Sequence, residues 1–118
     1  GPTPIKTHLG WLVLYHAMDS DWSKYKVGAM LLDLKHPEKV IARATAPVLE
    51  PSEEYENNGY KGGVVYASGA IVKNGNLMVY YGGADSVVCV ATAPLETFLR
   101  QLITDQKPKL KYVSKIRR

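Results

Sequence analysis

The sequence predicts an all-β fold of about two propeller blades, followed by a short C-terminal helix. A recurring motif carries most of that prediction. Residues Gly10–Asp19 read GWLVLYHAMD and Gly75–Asp85 read GNLMVYYGGAD, so a Gly turn, an apolar and aromatic run, a polar pair (Tyr15-His16, Tyr80-Tyr81) and an Asp return after about 65 residues. That period is too long for a helical solenoid and fits one blade of a large β-propeller. The second observation is the spacing of apolar residues, which is short and β-branched along most of the chain and helical only near its C-terminus. A blade cannot bury both of its faces alone, so two of them suggest part of something larger.

The elements follow in order. Strands are expected at about Trp11–Ala17, Tyr25–Leu34 and Val40–Ala44, with Lys6 on a segment before the Gly10 turn. Asp19–Lys24 is a polar loop, and Asp33–Lys39 is a turn whose Pro37 cannot donate to a ladder. Ala46–Gly63 is the longest irregular stretch, with two prolines, four glutamates and two Gly pairs or Asn-Gly steps; so long a loop is usually functional or mobile. Strands resume at Val64–Val72, turn at Lys73-Asn74-Gly75, and continue at Asn76–Tyr81 and Val87–Ala93. Leu95, Phe98, Leu99 and Leu102 fall at i, i+3, i+4, i+7, which predicts a helix over about 95–104 starting near Thr92 or Pro94. The expected organisation is a blade region over 1–106, with hairpin units at about 1–49 and 63–93, then a basic tail over 107–118. Each unit has three strands where a propeller blade has four; the fourth would come from Val48–Glu50 or from residues before Gly1.

The chain of 118 residues, 46% hydrophobic and 9% aromatic, is long enough for one domain with a modest core. No apolar run approaches the roughly 20 residues of a membrane span, and the polar, Pro-punctuated start does not read as a secretory leader. The single Cys89 excludes an intrachain disulfide and a Cys-based zinc site, so a reducing, cytoplasmic setting is expected. The formal charge of +4 is local: the tail Lys107–Arg118 carries six basic and no acidic residues, which leaves the body at −2. A basic tail can bind nucleic acid or an anionic membrane, but no stacking platform or recognition motif accompanies this one, so neither partner is expected.

Spacing alone shows little chemistry. There is no Gly-rich phosphate loop and no G-x-S-x-G, and His8, His16 and His36 have no metal-ligand spacing, so no metal is expected. The polar strand ends are more informative. His16 and Asp19 close one unit where Tyr81 and Asp85 close the other. A hairpin register that places Lys6 near Leu14 would bring Lys6 and His16 to one spot, an ammonium and an imidazole that together suit an anion. An Asp at such a mouth accepts hydrogen bonds from sugar hydroxyls, and Tyr rings offer apolar faces to pyranoses. The alternative stays open that His16 is a satisfied strand-end histidine and Lys6 a solvated charge.

The same segments resemble a family. TPIKT at Thr3–Thr7, GWLVLYHAMD at Gly10–Asp19, YKVGAMLLDLKHPEKVIARATAPVLEP at Tyr25–Pro51, VVYASGAIV at Val64–Val72 and YYGGADSVVCVATAPL at Tyr80–Leu95 are similar to the later half of glycoside hydrolase family 130, the β-mannoside phosphorylases and related mannosidases. The resemblance covers residues 2–99 in order. It implies a five-bladed propeller and cleavage of β-mannosidic bonds with inversion, by phosphate or by water. It implies no cofactor, with inorganic phosphate as co-substrate and a mannose-containing oligosaccharide as partner. It places Lys6 and His16 at phosphate-binding positions, Asp85 at a position that holds the non-reducing mannose, and Tyr25 and Tyr66 at positions facing the pocket.

Departures from the family pattern bear on these expectations. Ala17 stands where the family has Gly, and Gly63-Val64-Val65-Tyr66-Ala67 stands where it has Asn-Val-Val-Phe-Pro. The family's general-acid Asp and its phosphate-binding arginines lie upstream of TPIKT, so no catalytic residue is assigned in this chain. Two readings follow. One is the C-terminal portion of a mannoside phosphorylase or mannosidase, inactive alone and completed by an N-terminal half. The other is a non-catalytic binding or assembly module whose open sheet edges form a homo-oligomer.

Overall fold

A computed structural model describes residues 2–18, 25–49, 66–84 and 87–117. The strands are β1 (Ile5–Thr7), β2 (Gly10–Met18), β3 (Tyr25–Leu32), β4 (Val40–Arg43), β5 (Tyr66–Lys73), β6 (Asn76–Ala84), β7 (Val87–Pro94) and β8 (Lys111–Arg117), with one helix, α1 (Leu95–Ile103), between β7 and β8. They form two four-stranded antiparallel sheets, β1-β2-β3-β4 and β5-β6-β7-β8. Among the described residues the protein is thus mostly β with one short helix, as expected, but each unit has four strands and not three.

The fourth strands are the correction. In the first sheet the added strand is Ile5–Thr7 itself, paired with β2. In the second it is Lys111–Arg117, inside the segment read as a basic tail, which pairs along β7 from Thr92↔Lys111 to Val87↔Arg117. Val48–Glu50 fills neither role: Leu49 makes an isolated bridge to Val27, and Glu50 lies outside the described residues with the rest of the long loop to Val65.

Turn chemistry sets the hairpins. Between β1 and β2, the Thr7 hydroxyl donates to the Gly10 carbonyl at 2.6 Å and accepts the N–H groups of Leu9 and Gly10 at 3.2 and 3.1 Å. Gly10 has φ +153°, and a Cβ there would lie 2.4 Å from the Leu32 carbonyl oxygen, so only glycine fits. Asn74 (φ 52°) and Gly75 (φ 77°) both adopt positive φ, the requirement of a two-residue hairpin turn that Asn-Gly satisfies. In the loop after β3, Asp33 Oδ1 accepts the N–H groups of Lys35 and His36 at 2.9 Å, which holds its carboxyl below the ordinary carboxylate value, the His36 bond contributing most.

The pleat then sorts the faces. Leu12 and Leu14 on β2 and Val27, Ala29 and Leu31 on β3 are buried, and they meet Leu77, Val79, Tyr81, Cys89 and Ala91 of the second sheet in one continuous core. The helix adds Phe98, Leu99 and Leu102, the face the spacing foretold, and packs against β3, β4 and β7. Burial of each such side chain stabilises by about 1.5–3 kcal/mol. The chain leaving α1 returns to the first sheet, where Leu110 N–H donates to Val48 O at 2.8 Å and Lys109 Nζ to Pro47 O at 2.6 Å. This segment ties the chain after α1 to the stretch that follows β4 before β8 begins.

Candidate functional site

Both sheets present one set of strand ends at the same edge of the molecule. On the first sheet these are the end of β2 and the start of β3, paired Met18↔Tyr25. On the second they are the start of β5, the end of β6 and the start of β7, paired Tyr66↔Gly82 and Ala84↔Val87. The two sets are tied directly: the Ala67 N–H of β5 donates to Nε2 of His16 on β2 at 2.9 Å. His16 follows Leu12 and Leu14 on the core-facing parity of β2, one step beyond the core, so its ring turns toward the second sheet at its exposed end.

This rim is irregular where it matters. The β5–β6 register shifts between Ala67 and Gly69, and the β6–β7 register shifts between Gly82 and Ala84. Such bulges re-aim side chains at strand ends and recur next to functional sites. Ser68 lies in the first bulge, and its hydroxyl donates to the Tyr80 carbonyl at 3.2 Å. The sequence reading did not place Ser68 at the rim; the Ser68-Gly69 pair inside a strand was the available signal, because an interior strand glycine marks a bulge.

Of the expected site residues, the rim gathers some. His16 is there. Tyr25 and Tyr66 begin strands that open on it, although their side chains lie outside the described residues. Asp85 also lies outside the described residues, between the rim ends of β6 and β7.

Lys6 is placed elsewhere, and the expected register is corrected. It pairs with Trp11, with Ile5 opposite Leu12, and not with Leu14. It therefore shares the face of Trp11, Val13 and Tyr15, the face opposite His16, and lies five positions, about 17 Å, down β2 from it. The two-residue turn leaves no slack for another register. Within this pair of sheets Lys6 and His16 do not converge on one anion. Tyr81 is corrected too: β6 runs on to Ala84, and Tyr81 is fully buried in the core, not a platform at the mouth. Among the described residues no three His, Cys, Asp or Glu side chains gather to hold a metal ion, and no helix is long and apolar enough to cross a membrane.

The model of glycoside hydrolase family 130, described as beta-1,4-mannooligosaccharide phosphorylase, matches residues 1–103. The chain belongs to glycoside hydrolase family 130. It is 52% identical over 91 residues to a 1,2-beta-oligomannan phosphorylase of Thermoanaerobacter sp. (strain X514), covering 77% of this chain and 30% of that protein. It is 43% identical over 107 residues to a beta-1,2-mannobiose phosphorylase of Listeria innocua, covering 91% of this chain and 30% of the relative. The solved structure of a Listeria innocua beta-1,2-mannobiose phosphorylase, in complex with beta-1,2-mannobiose, superposes with a TM-score of 0.79 over 88% of this chain and 29% of that one. The chain thus spans just under a third of the length of these relatives. Among the described residues the rim gathers polar groups from both sheets.

Proposed function

We propose that this chain supplies the later blades of a five-bladed β-mannoside phosphorylase, and that the enzyme acts on β-1,2-linked mannosides. The observation that carries the reading is the shared rim, with His16, Tyr25 and Tyr66 on strand ends from both sheets. The linkage preference rests on the 52% and 43% identical relatives, whose names both specify β-1,2 substrates.

In this reading an oxygen of inorganic phosphate attacks the anomeric carbon opposite the glycosidic oxygen. The C1–O bond to the leaving sugar breaks, that oxygen takes a proton from a carboxylic acid, and a β-mannoside yields an α-mannosyl phosphate. The acid and the main phosphate cations come from the part of the protein that these 118 residues do not span. This chain's share is binding and orientation. Asp85 accepts hydrogen bonds from hydroxyls of the non-reducing mannose, and Tyr25 and Tyr66 lay ring faces against the pyranose. Fixing the sugar this way aligns C1 with the incoming phosphate, which lowers the barrier through positioning. By itself the 118-residue chain does not turn over mannosides.

A chimera tests the proposal. Residues 2–103 of this chain replace the matching third of the Listeria innocua phosphorylase, and release of mannose 1-phosphate from β-1,2-mannobiose and phosphate is measured. The chimera is expected to be active and Asp85→Ala to lower kcat/KM by about 100-fold or more. A folded chimera that releases no mannose 1-phosphate, or one indifferent to Asp85→Ala, overturns the reading.

A further inference from the structure

We infer that His16 is a positioning residue: a neutral imidazole, protonated on Nδ1, whose Nε2 clasps the bulged start of β5. Among the described residues β5 is an edge strand, so the N–H groups on its outer side have no ladder partner there, and the Ala67 residue is only 3% exposed. A buried backbone N–H without an acceptor is costly, and Nε2 of His16 lies 2.9 Å from this one. A backbone N–H can only donate, so Nε2 must offer its lone pair. An imidazolium has no lone pair on either nitrogen, and the Nε2–H tautomer has it on the wrong one. One state is left, neutral and protonated on Nδ1.

Two consequences follow. The clasp fixes the start of β5, and with it Tyr66, against the end of β2, so His16 shapes the rim from the first sheet while holding the second. It also means that His16 brings no positive charge to an anion at the rim and cannot donate from Nε2 while the clasp is closed. The clasp needs an N–H at position 67, which Ala supplies and Pro would not. The relevance to catalysis rests on the function proposed above, but the clasp itself does not, and its test uses neither mannoside nor enzyme activity.

The 118-residue chain, labelled with 15N in its histidines and backbone, is observed by NMR at neutral pH. His16 is expected to show a protonated Nδ1 and an unprotonated Nε2. His16→Ala should speed hydrogen exchange of the Ala67 amide by about tenfold, and His16→Gln, whose carbonyl oxygen can accept, should restore most of the protection. Ala67→Pro removes the N–H and should change the 15N shift of His16 Nε2. Titration with inorganic phosphate should leave Nε2 unprotonated. A proton on Nε2 in the unsubstituted chain, with or without phosphate, overturns the inference, and so does an Ala67 exchange rate unchanged by His16→Ala. Where a variant does not fold, the tautomer of the unsubstituted chain decides alone.

Discussion

Thr7→Val isolates one hydroxyl at the first hairpin turn. The residue is buried, and its Oγ1 makes three hydrogen bonds to the turn it faces, donating to Gly10 O and accepting from Leu9 N and Gly10 N. Valine keeps the β-branch, the volume and the strand propensity but removes all three bonds. At about 1 kcal/mol net per bond the loss is about 3 kcal/mol, offset by about 0.8 kcal/mol for the extra apolar group. The net destabilisation is about 2 kcal/mol, which for a chain of this size lowers Tm by about 10 °C. Thr7→Ser keeps the hydroxyl and loses a methyl, so it should cost about 1 kcal/mol or less. Urea unfolding of the 118-residue chain, followed by far-ultraviolet circular dichroism, measures both. A Thr7→Val effect within about 0.5 kcal/mol of zero, or a Thr7→Ser effect as large as that of Thr7→Val, would refute the turn-locking argument.

Other expectations follow from the same geometry. Gly10→Ala should destabilise by about 3 kcal/mol or more, since φ +153° is strained for alanine and its Cβ would sit 2.4 Å from a backbone oxygen; a cost under about 1 kcal/mol in the same urea assay would contradict this. Leu99→Ala, at a fully buried helix position, should cost about 3 kcal/mol by calorimetry, and a loss below about 1 kcal/mol would mean that α1 does not pack as described. Asp33 has a lowered folded-state pKa, so its contribution to stability is present above the ordinary value of 3.8 and is lost as pH falls through the lower folded value. A carboxyl-carbon NMR titration should therefore place its midpoint below 3.8, and a midpoint at or above that value would remove the account of the loop.

The hairpins were legible because their determinants are local. Leu12 and Leu14 alternate with Trp11, Val13 and Tyr15, and Asn74-Gly75 supplies two positive φ angles at the point where the chain must reverse. The helix was legible from Phe98, Leu99 and Leu102. β8 was not, because its lysines and arginine read as a solvated tail. Those charges suit an outermost strand, where they discourage further edge pairing. The rim was half legible. The strand-end polar residues pointed to it, but nothing near His16 in sequence announces that its partner is a backbone N–H on β5, 51 residues away.

What the sequence by itself determined is the kind of each element, most of its extent and the family, since periodicity, turn residues and motif order are written in neighbouring positions. What only the tertiary structure decided is which residues share a place. Lys6 and His16 sit on the same hairpin, yet the pairing of Lys6 with Trp11 sends them to opposite faces, because a strand alternates sides at every residue. His16 and Ala67 lie far apart in the chain, yet two sheets packed on a common core bring an imidazole lone pair to a backbone N–H of β5. Register and sheet-on-sheet packing come from the burial of Leu12, Leu14, Val79 and Tyr81 together, a sum over distant residues that no local pattern contains.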